Sequence, residues 1–191
     1  MIKSNDDKNI FEDKIMLIGL ISDTHIPDRA RQIPGNVLES FKDVDLIIHS
    51  GDLTTTAVID ELEKIAPVTA IQGNMDRVAG LDLPTSQVID VEGVKIGVAH
   101  GEVYPRGDTQ QLLYLARELD VNILVTGHSH QPKIEQVEDV LLLNPGSPIV
   151  PRLADRTVML LEINDKNVDV EIVKIGAPVC SALDFNQYPR D

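Results

Sequence analysis

The chain has 191 residues, with 31 Asp and Glu against 17 Lys and Arg, a formal net charge of −14, no Trp and a single Cys. At 42% hydrophobic it is too apolar for global disorder, yet no apolar stretch approaches the roughly 18 residues that span a bilayer. The lone Cys180 excludes an intramolecular disulfide or a thiolate metal cluster. The acidic balance disfavours nucleic acid as a partner, because a basic surface is needed to replace its counterions.

Residues 1–14 mix both charge signs with scattered apolar positions and read as a flexible extension. They lack the apolar core of a secretory signal, so a cytoplasmic location is expected. Met16, directly before the first strand-like run, is an alternative translation start that the intact mass of the native protein would test. From residue 15 onward, short apolar runs alternate with helical stretches: IMLIGLIS as strand, PGNVLESFKDV as helix, DLIIHS as strand, TAVIDELEKIA as helix and VTAIQG as strand. In the second helix Val58, Ile59, Leu62 and Ile65 form a 3.6-residue stripe, with the preceding Thr residues as caps. The strand runs do not alternate with polar residues, which predicts burial on both faces.

LPTSQVIDVEG and VKIGVAHG form a predicted hairpin about Glu92-Gly93, followed by a helix over Thr109 to Leu119 and the strand VNILVTG. The runs PKIEQVE, VLLLNPG, TVMLLEIN and NVDVEIVKI, joined by tight polar turns, read as an antiparallel continuation. Residues 176–191 have no sustained period and read as a flexible tail. One α/β domain over 15–175 is expected, built on two sheets covered by helices.

Four of the five histidines lie in short polar loops directly after apolar strand-like runs, where an α/β sheet gathers its active-site loops. The segments are ISDTH with Asp23 and His25, HSGD with Asp52, QGNMD with Asn74 and Asp76, VAHG with His100, and TGHSH with His128 and His130. Singly each is an ordinary turn; Gly51-Asp52 and Gly73-Asn74 are common turn dipeptides. Together they bring carboxylate, carboxamide and imidazole donors to five strand-end loops. That mixture suits Mn, Fe, Zn, Co or Ni better than Ca or Mg, and about seven donors fit two ions better than one. His49, ending an apolar strand, reads as a hydrogen-bonded structural group ahead of an outer-shell proton source, and Arg29, Arg31 and Arg106 read as solvated surface ahead of lining the mouth of the site and gripping substrate.

The ordered set DTH, GD, GN, H and GHSH resembles the calcineurin-like metallophosphoesterase superfamily. The small size, GNMD and the segment NPGSPIVPR from Asn144 to Arg152 resemble its small YfcE-like phosphodiesterase branch. The resemblance implies a four-layer αββα sandwich of two mixed β-sheets flanked by helices. It also implies two divalent metal ions, Mn²⁺ first among them, with Ni²⁺, Fe²⁺, Zn²⁺ or Co²⁺ as substitutes. One ion would be held by Asp23, His25, Asp52 and His130, and the other by Asp52, Asn74, His100 and His128.

Asp52, bridging both ions, and Asn74, donating its amide to a phosphoryl oxygen, are the expected catalytic residues. Asp76 joins them by orienting a ligand such as a histidine. The implied reaction is hydrolysis of a small-molecule phosphodiester by a metal-activated hydroxide. Where many relatives have His after GN, this chain has Met75, so the usual proton donor to the leaving group is missing and monoesters should react weakly. The alternative from another class is a non-catalytic interaction scaffold of the Vps29 type; the completeness of the seven donor positions favours an enzyme. A homo-oligomer is a reasonable default, and the sequence does not resolve it.

Overall fold

A computed structural model describes residues 15–177. The readings of residues 1–14 and of the C-terminal tail as flexible, and Cys180, lie outside the described residues. The elements in chain order are β1 (Met16–Ile21), α1 (Gly35–Ser40), β2 (Leu46–His49), α2 (Ala57–Leu62), β3 (Val68–Ala70), α3 (Asn74–Ala79) and β4 (Ser86–Val91). They continue with β5 (Val94–Ala99), α4 (Thr109–Leu119), β6 (Ile123–Val125), β7 (Pro132–Val137), β8 (Val140–Pro145), β9 (Arg156–Asn164) and β10 (Asn167–Gly176).

Two mixed five-stranded sheets result, ordered β10-β9-β1-β2-β3 and β4-β5-β6-β8-β7. In the first, β1, β2 and β3 are parallel while β9 runs antiparallel to β1; in the second, β5, β6 and β8 are parallel, with β4 and β7 antiparallel at the edges. The last four strands are therefore not one antiparallel continuation. β7–β8 and β9–β10 are hairpins, but β8 pairs parallel to β6, and the chain crosses to the other sheet between β8 and β9. Sequence shows only the tight turns within each hairpin, which say nothing about which sheet a hairpin joins.

The uninterrupted apolar runs are explained by burial on both faces. Ile18, Leu20, Ile48, Met159 and Leu161 of the first sheet pack against Ile96, Val98, Ile123, Val125 and Leu143 of the second. The alternate residues Ile47 and Val158 face outward and pack with Val37 of α1 and Val58 and Leu62 of α2. On the far side Leu124 and Leu142 meet Leu112, Leu113 and Ala116 of α4. The layers are thus helix, sheet, sheet, helix, as expected. No helix among the described residues is long and apolar enough to cross a membrane.

Three local features depart from the expected ones. α1 and α2 span six residues each and are shorter than their predicted segments. Thr56 occupies the α2 N-cap without a side-chain cap bond; Thr55 Oγ1 accepts from the Ala57 N–H at 3.4 Å instead. α3 was read as a turn, yet the Gly73 N–H donates to the Asp76 carboxylate at 2.8 Å and Gly80 closes the helix in the left-handed conformation, φ 77°.

Candidate metal centre

Every parallel strand ends at the same edge of the sandwich, and the loops leaving those ends carry the donors. β1 delivers Asp23 and His25, β2 delivers Asp52, β3 leads into Asn74, β5 delivers His100, and β6 delivers His128 and His130. Ser50 Oγ donates to the Thr126 carbonyl at 2.9 Å and so joins the two sheets there, while the Gly127 N–H donates to the His100 carbonyl at 3.1 Å and ties together the neighbouring loops after β6 and β5. A methyl group at Gly73 would overlap the Asp52 carboxylate, and one at Gly127 the Ser22 hydroxyl, so both positions exclude a side chain.

Asp23, His25, Asp52, His100 and His130 converge in a buried knot. His130 Nε2 lies 3.2 Å and His100 Nε2 4.0 Å from Asp23 Oδ1; His100 Nε2 lies 3.3 Å and His25 Nε2 3.8 Å from Asp52 Oδ2. In each of two triads, Asp23 with His25 and His130 and Asp23 with Asp52 and His100, one donor atom per residue lies within 4.8 Å of the others. Beside them His128 Nδ1 meets Asn74 Oδ1 at 3.0 Å, and its ring stands edge-on to His100 with centroids 5.2 Å apart. All seven expected donors are therefore brought together. Asn74 and His128 bond one another rather than joining the tight triads.

The knot meets the requirements of a cation. The buried Nε2 atoms of His25 and His100 have no hydrogen-bond partner, a costly arrangement for polar groups unless something is bound to them. His100 Nδ1 is held by the Ser50 carbonyl at 2.8 Å and His130 Nδ1 by the Val150 carbonyl at 2.7 Å, which turns the other ring nitrogen of each toward the carboxylates. Metal-binding histidines are oriented in this way. Burial raises the Asp23 pKa above the usual carboxylate range. Burial would also lower that of His100, but Asp52 and Asp23 outweigh it and lift the imidazole to about 9.

Five of the donors, Asp23, His25, Asp52, His128 and His130, have positive φ between 47° and 65°. Each left-handed residue costs about 1–2 kcal/mol, and clustering of such residues is characteristic of functional sites.

Asp76 is buried and serves the backbone instead of a histidine. It accepts from the N–H groups of Asp52 at 2.8 Å and Thr54 at 2.7 Å as well as Gly73. Its expected partner is thus corrected: it fixes the loop that carries Asp52. Ser147 Oγ donates to the Asp23 carbonyl at 2.7 Å, and Asn144 Nδ2 to the Gly127 carbonyl at 2.6 Å. The NPGS turn therefore holds the loops of Asp23 and His128. Nothing in the sequence but its place after a strand gave that role away.

A cavity of about 520 Å³ opens onto the knot, lined by His25, Asp52, Asn74, Met75, His128 and His130 at its base. Arg29, Arg106 and Arg152 line it too. Arg29 and Arg106 are exposed, as expected, and also border the site, the alternative the sequence offered for them; Arg31 is exposed but does not line the cavity, and the signal for Arg152 was its place in the NPGSPIVPR segment.

His49 is fully buried, with Nε2 3.1 Å from Thr24 Oγ1, and Nδ1 accepts the Gly51 N–H at 3.2 Å. Burial, reinforced by the nearby His100, depresses its pKa from 6.5 to about 3. The native state refuses a proton that the unfolded chain takes up below about pH 6.5, so stability falls from there toward pH 3, at close to 1.4 kcal/mol per unit. Urea unfolding at pH 7.5, 6 and 5 should show this slope, and His49→Gln should flatten it by about one proton's worth. Equal slopes in the two proteins would refute a neutral, structural His49.

The sequence profile described as the calcineurin-like phosphoesterase superfamily domain matches residues 16–166. A protein of Methanothermobacter thermautotrophicus named "probable metallophosphoesterase" is 56% identical over 172 residues, covering 90% of this chain and all of the relative. The chain belongs to the calcineurin-like phosphoesterase superfamily, whose members use divalent metals. Among solved structures, wild-type Vps29 of Entamoeba histolytica in complex with Zn²⁺ is similar with a TM-score of 0.67 and 30% identity, covering 84% of this chain and 100% of that one. A structure described as a novel archaeal phosphodiesterase has a TM-score of 0.62 and 27% identity, covering 83% and 100%.

Proposed function

We propose that the protein is a binuclear metal-dependent phosphodiesterase acting on a small-molecule diester. The observation that carries this reading is the buried knot of two carboxylates and three imidazoles in which two ring nitrogens have no partner. Asp23, His25, Asp52 and His130 would hold one divalent ion, and Asp52, Asn74, His100 and His128 the other, with Mn²⁺ the first choice for such a mixed oxygen and nitrogen set. When bound, the ions supply Lewis acidity: they lower the pKa of water and neutralise phosphoryl oxygens.

The chain's own groups do the rest. The Asp52 loop is held by Asp76, and the Met75 N–H donates to Asp52 Oδ1 at 2.7 Å, which leaves the other oxygen facing the imidazoles. Asn74, at the cavity base, can present its amide to a phosphoryl oxygen. Met75 lines the same base and has no proton to give. A leaving group therefore departs faster the more stable its anion, which supports activated aryl diesters over alkyl ones as the better substrates.

The test is hydrolysis of bis-p-nitrophenyl phosphate by metal-stripped protein during Mn²⁺ titration. Turnover should appear with metal, and dialkyl phosphates, whose alkoxide leaving groups need a proton, should react at least about 100-fold more slowly. Met75→His should narrow the gap between good and poor leaving groups. Comparable rates on alkyl and aryl diesters in the unmodified protein would refute the missing-acid argument. The likeness to Vps29 supports a second reading, an interaction scaffold; absence of turnover with any transition metal in folded protein would favour it.

A further inference from the structure

The donors at the cavity base account for one phosphoryl group, but the cavity of about 520 Å³ is within the range that encloses a whole drug-sized ligand. Its rim is built from three separate loops: Arg29 lies between β1 and α1, Arg106 between β5 and α4, and Arg152 between β8 and β9. All three are exposed, and none has a carboxylate partner among the described residues. Two other arginines are paired, Arg77 gripping Glu102 with both terminal nitrogens, at 2.9 and 2.6 Å, and Arg117 engaging Glu138 and Asp139, while Arg31 and Arg156 have no carboxylate partner among the described residues but lie away from the cavity.

In a chain with 31 acidic residues against 17 Lys and Arg, three unpaired guanidiniums around one opening are against the trend of its charge. Asp28 is the one carboxylate among the rim residues, so the rim is positive. Gathering like charges is unfavourable until an anion enters, and the planar fork of arginine matches phosphate oxygens two at a time.

We propose that Arg29, Arg106 and Arg152 form a second anion subsite, and that the substrate is a phosphodiester carrying a further phosphate beside the scissile one. The inference rests on the phosphodiesterase reading of the cavity base. A nucleotide-type diester with a terminal phosphate has this chemistry: the diester reaches the base and the terminal dianion stays at the rim.

The experiment compares two adenosine dinucleotides on the Mn²⁺-loaded full chain: ApA, and pApA, which adds only a 5′-phosphate. pApA should show a KM about tenfold lower than ApA near 50 mM salt, and the difference should shrink as salt screens the exposed guanidiniums. Measured within each variant, so that any general loss of activity cancels, the ratio should fall toward one in Arg29→Ala, Arg106→Ala and Arg152→Ala. It should persist in Arg31→Ala, which removes an exposed arginine that does not line the cavity. Equal KM values, or a ratio that survives all three rim substitutions, would overturn the subsite. If bis-p-nitrophenyl phosphate is not hydrolysed at all, the phosphodiesterase reading fails separately. Calorimetric dissociation constants for pApA and ApA then decide the subsite: tighter pApA binding that the rim substitutions abolish supports it, and equal affinities overturn it.

Discussion

Asp52→Asn is expected to lower Mn²⁺-dependent hydrolysis of bis-p-nitrophenyl phosphate by on the order of 10³-fold, beyond the 10- to 100-fold typical of residues that only orient a ligand. Asp52 faces both the His25 and the His100 ring nitrogens, at 3.8 and 3.3 Å; Asp23 faces three imidazoles, but Asp52 is the carboxylate that also lines the cavity, with its loop held by Met75 and Asp76. The substitution keeps the volume and, because Asn tolerates the left-handed region, it keeps the backbone at φ 59° without added strain. It removes a negative charge from between imidazoles. Metal content by elemental analysis should fall with activity while circular dichroism stays unchanged. A folded variant within tenfold of the parent would remove Asp52 from the centre of the chemistry.

Stripping the metal should lower the melting temperature by roughly 5–10 °C for each ion that binds the native state at a hundredfold excess over its dissociation constant. At that excess, binding stabilises by about 2.7 kcal/mol, and each kcal/mol moves the midpoint by about 2–4 °C in a domain of 150–250 residues. The apo knot concentrates what an ion would relieve: Asp23 is buried with its pKa raised, two imidazole nitrogens lack partners, and five donors sit at positive φ. Calorimetry in EDTA, Mn²⁺ and Mg²⁺ checks this. Mn²⁺ should stabilise more than Mg²⁺, which prefers oxygen donors alone. A shift below about 2 °C with Mn²⁺ would count against the knot as a metal site.

Much of this was legible in the sequence because the relevant signals are short in range. Ile47 and Ile48, adjacent and both apolar, announce a strand buried on both faces, and the structure places one toward each neighbouring layer. The donors were legible because each follows a strand directly, so their convergence needs only the parallel topology. What the sequence hid depends on partners far along the chain. Asp76 was expected to orient a ligand such as a histidine; that the ligand is Asp52 was hidden because its 24-residue reach back to the Asp52 N–H has no local signature. α3 was hidden because six residues around GNMD satisfy a turn and a helix start equally well. Arg152 and Arg106 border one cavity only because β8 and β5 lie in the same sheet with β6 between them.

The position of β9 also governs how the molecule is made. β1, which leads to Asp23 and His25, pairs with β2 on one side and with β9 on the other, more than 130 residues later in the sequence. During synthesis from the N-terminus, β1 and β2 emerge early, yet one flank of β1 stays without its hydrogen-bonding partner until Arg156–Asn164 has left the ribosome. That flank is apolar and strand-shaped, the kind of edge to which other nascent chains add. Closure of so long a loop is slow, and until it closes the second sheet lacks the part of its partner layer that Met159 and Leu161 supply. The loop that carries Asp23 and His25 therefore acquires its full setting only when nearly the last strand arrives.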